Sequence, residues 1–472
     1  MFAKMKKALV WALTLIVCFT VAACDFLPGN STECSHEFGE WTTVEWKTCT
    51  TDGLQERTCE KCGEKEEQVV PAAHLAKADT YYQDSEKHAK ICLYCKATFE
   101  EAVHEFDEND DCMVCGYHFQ SLWEIPDYVL EIEEGRDVRV LVLADTQIID
   151  SSQMRTSDRL GESSVIAWGP DTMEENLFQY MRSAVEKAEP DLILVLGDII
   201  YGEFDDAGTS LECLIEELES YEVPWAPIYG NHENESAKGA KWQNQQLENA
   251  EHCLFMKGDT DGNGNYTIAI KQGDDIVRMF YMMDSNYCSN AYKPTDNEVI
   301  TSPGFTSNQI VWLYNRMEAL ESVYGQAVSS TVCYHVPSKE FTQALEQYTD
   351  QTSMFTIGNE VKAAEGADDF GSKREGLDQY TMPSYNGYSF LEILKKYSVD
   401  TVFCGHNHKV NTSVMYEGIR WTFALKTGKY DSHTASELGG TLMTFNSDGY
   451  FVKHLYHDAT VQAKMDALRG LN

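Results

Sequence analysis

Six polar side chains of metal-binding type stand at the ends of successive apolar runs. Asp145 closes the run 138–144, and Asp198 follows 191–196 within Gly197-Asp198. Asn231 follows 223–229 within Gly230-Asn231-His232-Glu233, and His335 follows 331–334. His406 and His408 follow 401–404 within Gly405-His406-Asn407-His408. Carboxylate, amide and imidazole donors form a mixed set that suits zinc, manganese or iron. Side chains alternate along an extended turn, so His406 and His408 point the same way and can serve two neighbouring ions. A pair of cations can neutralise a phosphoryl group and generate hydroxide near neutral pH, provided a carboxylate bridges them. Asp198 is the natural bridge. His232 directly follows Asn231 and cannot easily join the same ion. It is better placed to steady a phosphate and to donate a proton to a leaving oxygen.

Those residues need elements to carry them. Near-continuous apolar runs of this length, including 276–283 before Asp284, are typical of strands covered on both faces. Between them lie helix-like stretches at 174–188, 211–220, 242–256, 308–323 and 388–397. Alternating strands and helices predict an α/β layered fold with the site at the carboxyl ends of the strands. The run 259–265 has the composition of a calcium loop but lacks its closing glutamate. It reads as a hairpin turn ahead of a strand at 266–270. His252, His433, His454 and His457 have no motif context and read as surface or satisfied core histidines.

The ordered motifs resemble the calcineurin-like metallophosphoesterase superfamily, which includes the purple acid phosphatases. The resemblance covers about two thirds of the chain, placing a domain at 137–458. It implies a four-layer fold, a β-sandwich flanked by helices, with two divalent or trivalent ions (manganese, iron or zinc). It also implies that Asp145, Asp198 and His408 hold one ion, and Asp198, Asn231, His335 and His406 the other. A hydroxide held between the ions would then attack phosphorus in a phosphate mono- or diester. One position departs. The commonest first motif is Asp-x-His, and here it reads Asp145-Thr146-Gln147. An amide oxygen ligates more weakly than imidazole, which would leave the first ion loosely held. Alternatively, Gly197-Asp198-Ile199-Ile200-Tyr201 resembles the purple acid phosphatase pattern in which the tyrosine binds ferric iron, and Gln147 is then not needed. Simple packing is the other reading of Tyr201.

Eight of the fifteen cysteines lie between Cys34 and Cys115, and histidines recur among them. The segment 34–118 is a degenerate repeat of Cys-x-x-Cys knuckles followed by histidines, and resembles zinc-ribbon-like repeats of bacterial surface proteins. Two thiolates on one turn can hold one side of a tetrahedral zinc. Spacing suggests one structural zinc at Cys59 and Cys62 with Cys49 and His74. A second would join Cys92 and Cys95 with His88 and His104, leaving the knuckle at Cys112 and Cys115 truncated. Disulfides are the rival, because the chain reads as exported.

That reading comes from residues 1–23. Lys4, Lys6 and Lys7 precede an apolar stretch too short to span a bilayer, ending in Val21-Ala22-Ala23-Cys24. This resembles a lipoprotein signal peptide with lipid on Cys24, followed by a tether at 24–33. A linker at 119–136 joins the Cys/His module to the rest. An extracytoplasmic protein held to a bacterial membrane by its lipid is the expectation. A net charge of -39 argues against nucleic-acid partners, because phosphate contacts are normally supplied by Lys or Arg. The alternative to an enzyme is a non-catalytic surface binding protein on the same scaffold, motivated by Gln147 alone.

Overall fold

The computed structural model describes residues 34–76, 81–83, 87–107, 112–116, 126–149, 173–287, 300–325, 327–347, 361–362 and 369–471. The expected signal peptide, Cys24, the tether, His118 and residues 119–125 of the linker lie outside them. The rest of the linker includes a strand, Tyr128–Glu131, which pairs parallel with Tyr266–Gln272. The chain forms two compact units. One runs to Leu75 and takes in Leu93–Cys95, and the other takes in Ala76–Cys92 and continues from Lys96.

The first unit carries a three-stranded antiparallel sheet, Thr42–Glu45, Gly53–Thr58 and Lys65–Val70. Its strands are mostly exposed, so little apolar surface holds it together. Arg57 lies between the rings of Phe38 and Trp41, at 4.8 and 4.6 Å from their centroids.

The second unit contains a similar small sheet, Tyr81–Gln83, Lys87–Ile91 and Thr98–Val103, and the main fold. The main fold is mixed α/β with two large sheets. In the five-stranded sheet, Trp225–Ile228, Leu192–Leu196 and Val138–Leu143 run parallel. The antiparallel hairpin Gly439–Asn446 and Gly449–Tyr456 completes it. The nine-stranded sheet has a parallel centre of Asp275–Met282, Ser330–Cys333, Val399–Cys404 and Ile419–Phe423. Alternation along Asp275–Met282 divides the layers. Phe280 and Met282 face the core shared with Leu194 and Ile228, whereas Met279 and Tyr281 face a helical layer containing Ile310, Leu313 and Phe390. Helix Met173–Ala188 packs on Val138–Leu143 and Gly439–Asn446, supplying the other outer layer. The expected four layers, two sheets between helices, are therefore present.

Local signals set the helix ends. Helix Ser307–Tyr324 starts at a capping box made by Thr306 and Gln309 and stops at Gly325, whose φ is 66°. Helix Gly239–Asn249 ends earlier than the expected 256, because Cys253 leaves to pair with Trp225 at the edge of the five-stranded sheet. The run 259–265 is not a hairpin turn. The hairpin partner of Tyr266–Gln272 is Asp275–Met282, which follows it. The run is a loop pinned by Asp284, whose carboxylate accepts from the backbone of Asn263 and Asn286, each at 2.7 Å.

Candidate metal centre

Each expected ligand lies just beyond a strand that the sequence marked. Asp145 follows Val138–Leu143, Asp198 follows Leu192–Leu196 and Asn231 follows Trp225–Ile228. His335 follows Ser330–Cys333, and His406 and His408 follow Val399–Cys404. The chain must turn sharply there, and three of these residues have left-handed backbones: Asp145 at φ 51°, Asp198 at 46° and His406 at 71°. Such backbone strain persists where the surrounding structure over-determines it. Gly197, at φ 73°, permits a close approach. A Cβ there would lie 2.7 Å from Gly230 N and from the His335 ring.

The side chains converge in two overlapping groups. Ligand atoms of Asp198, His335 and His406 lie within 4.8 Å of one another, as do those of Asp145, Asp198 and His408. Asp198 belongs to both. Asn231 Oδ1 joins the first group, 2.8 Å from His406 Nδ1 and 3.3 Å from His335 Nε2. All six expected ligands thus meet. The donor set fits a pair of cations, since one carboxylate is shared between a group with two imidazoles and a group with one imidazole and a second carboxylate.

The imidazoles are aimed by partners on their far sides. His335 Nδ1 donates to Leu196 O at 2.8 Å, leaving Nε2 toward Asp198 Oδ1 at 3.3 Å. His406 presents Nδ1 inward, while its Nε2 lies 3.2 Å from Asp378 Oδ2. His408 turns Nε2 inward, 3.2 Å from Asp145 Oδ1, and its Nδ1 lies 3.9 Å from Asp431 Oδ2. Such partners fix the ring orientation of metal-binding histidines. Asp198 Oδ1 accepts from the backbone of Asn231 and His232 at 2.9 and 3.0 Å. Burial opposes the charge on Asp198, but the surrounding histidines outweigh it and hold its carboxyl well below the usual range.

His232 stands beside the ligands. Its Nδ1 lies 2.6 Å from Glu235 Oε2, and its Nε2 lies 3.8 Å from Asp198 Oδ2. Burial works against protonation, yet Asp198 and Glu235 push the imidazole up to about 10. The Tyr201 ring stacks on His232 with centroids 4.1 Å apart, in a small cluster with Ile149, Phe204 and Tyr430. Gln147 is buried: its Oε1 accepts from Lys426 Nζ at 2.6 Å, and its Nε2 donates to Asp198 Oδ2 at 3.2 Å.

Several contributors were not anticipated. Glu233 is buried, and its carboxylate accepts from the backbone of Ile199, Ile200 and Gly230, tying the Asp198 turn to the Asn231 turn. Burial first, and Asp198 second, push its carboxyl up to about 7. Glu233 and Glu235 were open to inference from their spacing to His232. Asp378, Lys426 and Asp431 come from loops with no periodic pattern. The cleft over the centre is lined by Asp198, Asn231, His232, His406 and His408 together with Glu375, Asp378 and Asp431. No Lys or Arg is among its described lining residues.

The Cys/His clusters differ from the expected grouping. Cys59 and Cys62 meet Cys34 and His36, not Cys49 and His74. His88 and His104 meet Cys112 and Cys115, so the last knuckle is complete and does not use Cys92 or Cys95. In the first unit, Cys49 and His74 lie with Cys95. The reason is antiparallel pairing. Phe38 pairs with Cys59 and Phe106 with Cys112, which lays the histidine two residues earlier, His36 or His104, beside the knuckle. The histidine therefore precedes its cysteine pair instead of following it.

The sequence profile of the family described as calcineurin-like phosphoesterase matches residues 138–410. Phosphatase DCR2 of Saccharomyces cerevisiae is 24% identical over 242 residues, covering 48% of this chain and 38% of that one. Probable inactive purple acid phosphatase 29 of Arabidopsis thaliana is 24% identical over 253 residues, covering 48% and 57%. The chain thus spans only about 38% to 57% of the length of these two relatives. Among solved structures, a dimetal phosphatase from Danio rerio aligns with 13% identity and a TM-score of 0.36, covering 67% of this chain and 95% of that one. Purple acid phosphatase PPD1 from yellow lupin aligns with 10% identity and a TM-score of 0.36, covering 87% and 70%. With its match extending over more than half of its length, the chain belongs to the calcineurin-like phosphoesterase family.

Proposed function

We propose that this protein hydrolyses a phosphate mono- or diester at a dinuclear centre held by Asp145, Asp198, Asn231, His335, His406 and His408. The observation that carries the reading is the place of Asp198 in both ligand groups, with His232 facing the same carboxylate. A bound cation pair would supply charge neutralisation and an activated water. The protein's own part is positional. Backbone donors from Asn231 and His232 hold one Asp198 oxygen, and Leu196 O fixes which nitrogen His335 turns inward. His232, oriented by Glu235, is the proton donor to the leaving oxygen. The test is turnover of p-nitrophenyl phosphate and its bis-ester. Activity should be lost on chelation, return with manganese, and be absent in Asp198→Ala. Metal-loaded protein inert toward both esters would overturn the proposal.

A second reading, a binding protein without turnover, is favoured by two observations. Gln147 stands where histidine is commonest, and relatives carry names that include "probable inactive". Fewer than two ions in the centre would support it.

We also propose that the Cys/His clusters hold structural zinc. Zinc bonds of about 2.3 Å to sulfur and 2.0 Å to nitrogen give tetrahedron edges of roughly 3.4–3.8 Å. Cys62 Sγ lies 3.4 Å from His36 Nδ1, and Cys34 Sγ lies 4.0 Å from Cys59 Sγ. Cys112 Sγ and Cys115 Sγ lie 3.7 and 3.5 Å from His88 and His104 Nδ1. The 4.0 Å between the Cys34 and Cys59 sulfurs is far beyond the roughly 2.05 Å of a disulfide. Blocking the thiols with a mercurial should release zinc, whereas protein with no zinc and no titratable thiols would refute the assignment. Attachment to the outer face of a membrane through Cys24 completes the proposal. Cys24→Ser should move the protein from the membrane to the soluble fraction.

A further inference from the structure

The unusual first motif has a partner elsewhere in the fold. Lys426 lies beyond the strand Ile419–Phe423 and reaches the first motif. Its Nζ donates to Asp145 O at 3.1 Å and to Gln147 Oε1 at 2.6 Å. Lys426 is 3% exposed and Gln147 0%, so neither contact is shared with bulk solvent. The other end of the Gln147 amide, Nε2, donates to Asp198 Oδ2 at 3.2 Å.

The amide cannot be turned around. An ammonium has donors only and a carboxylate acceptors only. Exchanging the amide ends would set NH2 against the ammonium and oxygen against the carboxylate, losing both bonds. The oxygen that would have replaced the missing imidazole is therefore committed to Lys426. A cation bound to that same oxygen would have the ammonium as a close neighbour, and like charges at such range repel strongly in a buried site. Among the described residues, no such neighbour is seen at the other position. Asn231 Oδ1, His335 Nε2 and His406 Nδ1 all face it, and each histidine is held by an acceptor on its far side.

We propose that Lys426 and Gln147 make the centre asymmetric. Asp198, Asn231, His335 and His406 hold a resident cation, while Asp145, Asp198 and His408 hold a second that exchanges. Gln147 serves as a positioning residue for the bridging carboxylate and not as a ligand. Lys426 sets its ammonium against Gln147, the residue at which an imidazole would have strengthened the first position. The inference rests on the dinuclear reading and names which half of the centre is the weak one.

Manganese binding to chelator-stripped protein tests it, followed by calorimetry and by the EPR signal of free Mn²⁺. Manganese is the probe because thiolate clusters disfavour it. Wild type should take up two ions in steps at least about tenfold apart. Asp145→Asn should remove only the weaker step. Lys426→Met and Gln147→His should each tighten the weaker step by about tenfold or more, leaving the stronger step in place. That stronger step also reports that each variant is folded. Two equal steps in wild type would overturn this inference alone, as would a weak step unmoved in both Lys426→Met and Gln147→His. No uptake of manganese at all would overturn the dinuclear reading and this inference together.

Discussion

His232 illustrates how one contact decides a residue's part. Its short approach to Glu235 leaves Nε2 as the nitrogen near the shared carboxylate. His232→Asn should therefore lower kcat by about 10² to 10⁴ with the metal content of the centre unchanged. Steady-state kinetics beside elemental analysis checks this, and a variant that loses its metal instead would make His232 a ligand. Glu233 acts differently, since its carboxylate joins two ligand-bearing turns through backbone donors. Glu233→Ala should cost on the order of 3 kcal/mol, because three buried N–H groups lose their acceptor. Urea denaturation would measure it, and an unchanged midpoint would remove Glu233 from the account. The six proposed ligands were legible in the sequence because each is a metal-binding type placed just after a recognisable strand. Lys426 was not, because a lone lysine after an apolar run reads as surface until the fold buries it.

Elements were legible in proportion to how completely they are buried. Leu192–Leu196 is buried at every position and reads as an unbroken apolar run. The hairpin Gly439–Asn446 with Gly449–Tyr456 was not anticipated. Its glycines and polar ends conceal strands that close one edge of the five-stranded sheet. The order of histidine and knuckle in the Cys/His clusters was misread for a related reason, since spacing along the chain does not reveal antiparallel pairing. His454, on Gly449–Tyr456, is a satisfied core residue. Its Nε2 donates to Asn411 O at 2.6 Å, and its Nδ1 lies 2.9 Å from the Thr441 hydroxyl. Burial pushes its imidazole down from the ordinary 6.5 to about 4. The sign follows directly. Above pH 6.5 the ring is neutral in both folded and unfolded chains, and its contribution to stability is intact. As pH falls from 6.5 toward 4, the unfolded chain binds a proton that the folded one resists. Stability is then lost by up to about 3 kcal/mol. His454→Gln should flatten the fall of the urea midpoint between pH 7 and pH 4.5, and parallel curves for the two proteins would contradict this.

At the scale of the whole molecule, charge and the proposed metal pair oppose each other. The chain carries a net charge of -39, and Glu375, Asp378 and Asp431 line the cleft. The proposed phosphoester substrate, an anion, approaches against this field, which salt screens over about 10 Å at 0.1 M. For p-nitrophenyl phosphate, kcat/KM should rise about threefold between low and moderate ionic strength, whereas a fall would reveal an attractive cleft. Single- or double-stranded DNA should be cleaved negligibly, since no Lys or Arg is among the described residues lining the cleft to hold its phosphates. Whether two cations meet at Asp198 can be read from anomalous scattering at the manganese edge, in crystals equilibrated with excess manganese. Two peaks about 3.5–4 Å apart should flank the Asp198 carboxylate, one beside His335 and His406 and the other beside Asp145 and His408. A map with fewer than two peaks there, or with its manganese elsewhere, would contradict the account.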